Sequence, residues 1–123
     1  DDCGRMLNET LLKGQIQGGI AQGAGQVFGE HGIYDRNTGQ MLTATFMDYV
    51  MPRADLFPEM VLVDRSRPSP ANEIGAKGAG EAGTAGPPGA VMNAINDALS
   101  PLGAQVTAQP FTPQRVLRAL GKV

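Results

Sequence analysis

The chain has 123 residues, a formal net charge of −2 and one cysteine, so it is long enough for one domain but has no internal disulfide. No basic block suggests a nucleic-acid partner, and no apolar run reaches the ~20 residues of a membrane helix. Seventeen glycines and nine prolines beside 5% aromatic residues are unusual for a free-standing domain. We therefore predict a glycine-rich piece that packs closely against a cofactor or another polypeptide.

The first predicted element is a helix over residues 11–28, where apolar side chains recur at spacings of three and four. Asn8 or Thr10 is expected to cap its start. Its other side is rich in glycine, and each glycine costs ~1 kcal/mol relative to alanine in a helix interior. Contacts with a close backbone or ligand must offset that cost, so a leucine at Gly18 or Gly19 is expected to block packing. The five glycines are Gly14, Gly18, Gly19, Gly23 and Gly25.

Short β elements and two more helices are predicted after this helix. Residues 33–34 and 41–43 flank the turn-rich stretch DRNTG, which predicts a hairpin, and the apolar run at residues 60–63 predicts a strand. Helices are predicted over residues 88–99 and 113–120, each with proline in its first turn. A long loop joins the strand to the second helix. The order predicts an α+β fold in a single domain that spans the chain.

The long loop contains the stretch GAKGAGEAGTAGPPGA, residues 75–90, in which Glu81 is the only acid. Its small, apolar flanks favour partial desolvation, which would raise the pKa of Glu81 toward the range useful for a general base. Glycines around it leave space for a ligand to come close. Glu81 is therefore a candidate catalytic residue, and a surface or helix-capping glutamate remains the open alternative.

Three further features of the sequence are candidates for binding. The amide of Gln22 lies between glycines and can both donate to and accept from a cofactor, although it is also typical of a helix surface. Lys77 can pair with a carboxylate or a phosphate, or remain solvated. The string G-x-G-x-x-G at residues 78–83 lacks the strand that a dinucleotide-binding motif requires. One histidine, His31, and one cysteine, Cys3, cannot build a zinc site, so no protein-held metal is predicted.

Several stretches, in chain order, together resemble a known family. DCGRMLN, GQIQGGIAQGAGQVF and MDYVMPRAD look like successive family segments. PSPANEIGAKGAGEAGTAGPPGAVMNAINDAL looks like an active-site loop with the helix after it, and FTPQRVLRAL looks like the usual chain end. The resemblance is to the C-terminal part of the molybdopterin-binding large subunit of the molybdenum hydroxylases, the xanthine oxidase family. Aldehyde oxidase, isoquinoline oxidoreductase and carbon monoxide dehydrogenase-like chains belong to it.

This resemblance implies a function for particular residues. Glu81 stands at the position of the family's general base at the molybdenum centre, and Gln22, Gly23 and Gly80 stand where the family contacts the cofactor. The implied reaction is oxidation of an aldehyde or an N-heterocycle, with water as the oxygen source. The implied cofactor is molybdenum–molybdopterin, in its simple or dinucleotide form, while iron–sulfur clusters and FAD lie on partner subunits.

The resemblance also implies that the chain works as part of a larger enzyme, because one base and one glutamine cannot hold a pterin cofactor. Expected partners are the rest of the large subunit, iron–sulfur and flavin subunits and a small-molecule substrate. A cytoplasmic location is expected, or a periplasmic one through a partner that carries the signal. One departure is Asn8-Glu9, where the family often has Asn-Pro. The alternatives are a non-catalytic orphan fragment that serves only as a structural or interaction module, and a dinucleotide-binding module.

Overall fold

The computed structural model describes residues 1–123, and helices dominate its regular structure. All three helices that the sequence predicts are present, with ends within two residues of the expected ones. Two short 3₁₀ turns lie between them, at Ala54–Leu56 and Ser100–Leu102. The helices are α1 at Glu9–Phe28, α2 at Gly86–Leu99 and α3 at Pro113–Ala119.

The start of α1 has the local stabilisation that its sequence predicts. The Asn8 side chain accepts a hydrogen bond from the Leu11 amide at 3.0 Å, which satisfies one of the free amides of the first turn. Glu9 and Lys13 form an ion pair one turn apart at 2.6 Å. Asn8, rather than Thr10, is therefore the cap. No helix of the chain is both long enough and apolar enough to cross a membrane.

The apolar core lies where the end of α1 meets α2, α3 and the connection between them. Around it pack half-buried side chains of α2 and α3, among them Ile95 and Val116. The core is small, because only 16 of 123 residues are buried. Its buried apolar members are Val27, Leu99, Ala104, Val106 and Phe111.

Polar contacts fasten the connection between α2 and α3 to this core. The Asn96 amide donates to the Val106 carbonyl and accepts from the Val106 amide, both at 2.9 Å. The Phe111 amide donates to the Val27 carbonyl at the end of α1, at 2.6 Å. The helical part of the chain, α1 with residues 86–121, is thus held by both apolar packing and backbone pairing.

The predicted β structure is mostly absent. The hairpin is reduced to one antiparallel bridge, between Tyr34 and Met41, closed by a turn in which the Asp35 amide donates to Gln40 at 2.8 Å. The strand predicted at residues 60–63 is wrong for this structure, since those residues have no assigned secondary structure and no strand beside them. The α+β prediction is therefore right for the helices and wrong for the strand, because a strand needs a neighbour with which to pair.

Candidate active-site loop

The start of the loop is attached to the first residues of the chain by backbone hydrogen bonds. The Lys77 amide donates to the Cys3 carbonyl at 2.9 Å, and the Arg5 amide donates to the Gly75 carbonyl at 2.8 Å. At Gly4, where φ is +68°, a Cβ would lie 2.3 Å from the Gly75 carbonyl oxygen. Only glycine permits this approach, which explains the glycine in the stretch DCGR.

Asp2 adds a side-chain clamp at the same place. Its carboxylate pairs with the Lys77 ammonium and accepts hydrogen bonds from the amides of Gly4 and Arg67, both at 3.0 Å. The hydrogen bond from Lys77, followed by those from the two amides, lowers the pKa of Asp2 from 3.8 to about 2. Lys77 therefore pairs with a carboxylate of this chain, which is one of the two interpretations its sequence left open.

A second side chain, Asn72, was not singled out from the sequence. Its amide donates to the Ala76 carbonyl at 2.9 Å and accepts from the Ala76 amide at 3.1 Å. This pairing closes the turn before the glycine-rich stretch. Asparagine before a glycine-containing turn is the signal that could have predicted it, because its side chain commonly bonds backbone two to four residues away.

The next part of the loop lies directly on α1, backbone against backbone. A Cβ on Gly19 would lie 2.1 Å from the Ala82 carbonyl oxygen. On the loop side, Gly83 has φ +88°, and a Cβ there would lie 2.5 Å from the Ile16 carbonyl oxygen. Glycines on both partners therefore make the contact possible, and the expected close approach to α1 is confirmed at this point.

The remaining glycines of α1 divide into two groups. Gly23 and Gly25 are buried: a Cβ on Gly23 would lie 2.7 Å from the Thr84 carbonyl oxygen, and one on Gly25 would lie 2.8 Å from the Pro52 ring. Gly14 and Gly18 have nothing within 4 Å of the Cβ position. A larger side chain at Gly19 would therefore block close packing within residues 1–123, as expected. The same expectation does not hold for Gly18, because nothing lies close to it.

Glu81 is exposed at the tip of this loop, and its carboxylate has no hydrogen-bond or ion-pair partner in the chain. The partial desolvation expected from its small neighbours is therefore not provided by residues 1–123. The preceding Gly80 is also exposed, with open space at the Cβ position, and its carbonyl accepts a hydrogen bond from the Gln15 side chain on α1. Gln15 is a second contact that the sequence did not reveal.

The other predicted site residues lie on α1. Gln22 is exposed and its amide has no partner in the chain, whereas its neighbour Gly23 is covered by Thr84 and the prolines that begin α2. The structure thus brings α1 and the Glu81 loop together through Gly19 and Gly23. No group of three His, Cys, Asp or Glu side chains that could hold a metal ion is formed.

The dinucleotide-binding alternative lacks its structural context. Residues 78–83 form turns that lead into α2, but the backbone before them has only one isolated bridge, between Gly4 and Ala76. A dinucleotide-binding motif needs a buried strand that runs directly into its first glycine. Of the glycines in this string, Gly83 serves the contact with α1 instead, while Gly78 and Gly80 have open space at their Cβ positions.

A cavity of about 180 Å³ lies between the start of the chain, α1 and residues 61–66. Most of its lining is apolar and includes Leu12, Ile16, Leu62 and Ala82. Ala82 follows Glu81 in the sequence, but Glu81 itself is exposed and is not part of the lining.

Comparisons with known proteins show which chains this one is similar to. Residues 1–58 match the family described as the molybdopterin cofactor-binding domain. The chain is 43% identical over 119 residues to the nicotine 6-hydroxylase large subunit of Paenarthrobacter nicotinovorans, covering 97% of this chain and 14% of that protein. It is 35% identical to the carbon monoxide dehydrogenase large chain of Afipia carboxidovorans, covering 94% of this chain and 14% of that protein.

A solved structure supports the same relationship. Quinoline 2-oxidoreductase from Pseudomonas putida 86 superposes with a TM-score of 0.87 at 41% sequence identity, covering 98% of this chain and 15% of that one. Over nearly its whole length the chain is therefore similar to one part of the molybdenum hydroxylase large subunits. It spans about one seventh of the length of the curated relatives it matches.

Proposed function

We propose that this chain supplies the general base, Glu81, and part of the cofactor-binding wall of a molybdenum-dependent hydroxylase. The observation that carries the proposal is an exposed carboxylate without a partner, on a loop that backbone contacts hold firmly against α1. The sequence around that carboxylate resembles the family's active-site loop. An acid that served only the fold would be expected to cap a helix or pair with a cation, and Glu81 does neither.

The residues around Glu81 fit one edge of a molybdopterin. Gly78 and Gly80 have open space at their Cβ positions, so a ligand can approach the loop backbone. The Gln22 amide has no partner in the chain and offers both a donor and an acceptor to a polar ligand. Gly23 acts indirectly in this proposal, because it lets Thr84 and the loop settle on α1 beside Gln22.

Glu81 would act by accepting a proton on its carboxylate from the oxygen nucleophile that water supplies. When bound, the cofactor supplies the metal-centred oxidation. The anchors at Asp2, Asn72 and Gly19 hold the loop backbone that carries Glu81, which helps to keep the base within hydrogen-bond reach of its proton. Polypeptide outside residues 1–123 would cover Glu81 and exclude water from it.

The proposed substrate is an N-heterocycle, with an aldehyde as the second choice. Two of the more similar relatives carry the names of nitrogen heterocycles, nicotine at 43% and quinoline at 41% identity. Carbon monoxide dehydrogenase is less similar, at 35%. Iron–sulfur and flavin subunits are the proposed electron acceptors, as expected for a large subunit of a multi-subunit enzyme.

The test compares Glu81→Gln with Glu73→Gln in the assembled enzyme. Both glutamates are exposed in the same loop region, so both substitutions remove one carboxylate and keep the side-chain size. Glu81→Gln should lower turnover by about 10²–10⁴-fold, the usual contribution of a general base, with unchanged molybdenum content. Glu73→Gln should leave turnover unchanged. Normal turnover in Glu81→Gln would refute the catalytic role and favour a purely structural module.

A further inference from the structure

Residues 59–63 consist of Glu59 and the apolar run 60–63, and their backbone is not used inside the chain. None of their amides or carbonyls takes part in a hydrogen bond with any other residue of the chain. The run is bounded by Pro58, which has no amide hydrogen, and by Asp64, whose carboxylate accepts from the Ser66 amide at 2.8 Å and begins a local turn. A free stretch of about five residues has the usual length of a β-strand.

The side chains of this run alternate as those of a strand do. Met60 and Leu62 are half-buried, while Val61 and Val63 are 86% and 69% exposed. Alternation with a period of two is the signature of a strand, and here both faces are apolar. Strands that are apolar on both faces are normally covered on both.

We propose that residues 59–63 are inserted as a strand into a β-sheet built by polypeptide of the same enzyme that lies outside residues 1–123. The inference rests on the proposed function, because it takes the assembled hydroxylase as the source of the partner. Main-chain hydrogen bonds would stabilise the pairing. Val61 and Val63 would pack against polypeptide that covers the exposed face of the sheet.

Two observations identify the occupant as polypeptide of the same enzyme. The chain spans about one seventh of its relatives, so most of the polypeptide of such an enzyme lies outside it. The likeness to quinoline 2-oxidoreductase covers 98% of this chain with a TM-score of 0.87, and in that protein the matched part is 15% of the chain. This path of the backbone is thus compatible with a much larger surrounding protein. A free edge exposed to solvent would normally carry a charge or a proline, and in this stretch the only charge is at its first residue, Glu59, while the central residues 60–63 have neither.

Hydrogen–deuterium exchange of the assembled enzyme tests the proposal directly. Pairing on one edge should slow alternate amides among residues 60–63, and pairing on both edges should slow all four, by at least about 100-fold relative to an unstructured peptide. Exchange of all four at the unstructured rate would overturn the proposal. The protection should not change over a 100-fold dilution, and its loss on dilution would assign the pairing to a second copy of the chain and also overturn it.

A pair of substitutions at one position separates backbone pairing from side-chain packing. Val61→Thr keeps the β-branched shape and the amide donor, whereas Val61→Pro removes the donor. The proline variant should reduce the yield of assembled enzyme at least about tenfold relative to the threonine variant, since an interior strand does not accommodate proline. Equal yields would contradict insertion into a sheet. Glu81→Gln should leave the protection of residues 60–63 unchanged, so this proposal and the catalytic one can fail separately.

Discussion

The helical region and the segment over residues 44–66 contain similar apolar side chains in opposite environments. In the helical region, Val27 is completely buried and Phe111 is 4% exposed. In the segment, Phe46 is 80% and Met47 is 91% exposed. The difference lies in how far each region is covered, since the helices pack on one another, whereas the segment approaches α1 only in places, such as Pro52 beside Gly25, and leaves Phe46 and Met47 uncovered. Burial thus depends on what packs against a residue and not on its own hydrophobicity.

The comparison predicts its largest effect at Phe111. Phe111→Ala should lower the free energy of unfolding by about 3–5 kcal/mol, because it leaves a cavity at the centre of the core. Phe46→Ala is the matched control, since it removes the same side chain from the exposed segment. Amide exchange of α2 in the assembled protein measures both. Phe111→Ala should make α2 exchange faster and Phe46→Ala should not, and equal acceleration in both would show that the two regions form one unit.

A smaller effect distinguishes the two faces of α1. Gly19→Ala should destabilise the protein by roughly 1–3 kcal/mol, because its Cβ would collide with the Ala82 carbonyl, which is backbone and cannot rotate away. Gly18→Ala places the same methyl in open space and should stabilise by about 0.5–1 kcal/mol. Urea unfolding of the two variants measures the difference. If Gly18→Ala were as damaging as Gly19→Ala, another polypeptide would have to lie on that face.

Within the helical region, we expect the two hydrogen bonds between Asn96 and Val106 to contribute a similar or smaller amount to the free energy of unfolding. Asn96→Ala leaves the half-buried amide and carbonyl of Val106 without partners, which should cost about 1–3 kcal/mol. Asn93 is exposed on the same helix and makes no hydrogen bond, so Asn93→Ala should have little effect. Thermal unfolding compares the two. Similar melting temperatures would mean that water replaces the Asn96 amide.

The smallest expected effect on stability is the pH dependence that Asp2 contributes at the start of the chain. Its pKa falls from 3.8 to about 2 in the folded protein, chiefly because of the hydrogen bond from Lys77. A carboxyl group with a lowered pKa stabilises the fold fully above its unfolded pKa. That contribution should therefore be complete above about pH 4 and disappear as the pH falls toward 2.

Nuclear magnetic resonance titration of the Asp2 carboxyl carbon checks this prediction. Lys77→Met should raise the pKa of Asp2 toward its usual value. Lys13→Met breaks the separate pair with Glu9 and should leave Asp2 unchanged. If Lys77→Met leaves the pKa of Asp2 unchanged, the Asp2–Lys77 ion pair does not anchor the loop.

The sequence predicted what local physics determines. The spacing of apolar residues and the Asn8 cap specify α1, and prolines specify the starts of α2 and α3. These features need only residues within a few positions of one another. The strand at residues 60–63 was not formed for the opposite reason, because its pairing depends on polypeptide that the chain does not contain.

The candidate site was predictable to a similar degree. Glu81 was found by the small residues around it and by the family resemblance, and Gly19 by its place on the helix. The clamps formed by Asp2 and Gln15 were missed, because they join residues 75 and 65 positions apart in the chain. The expected desolvation of Glu81 does not come from its neighbours in sequence, since small apolar residues do not cover a side chain that this loop leaves exposed.

The central claim is that this chain is one wall of a molybdenum site that other polypeptide completes. The most direct measurement is the mass and molybdenum content of the native species in which residues 1–123 are found. We expect stoichiometric molybdenum in an assembly several times heavier than the chain. A metal-free species of 12.9 kDa would contradict the claim, since Glu81 would then have no cofactor to serve.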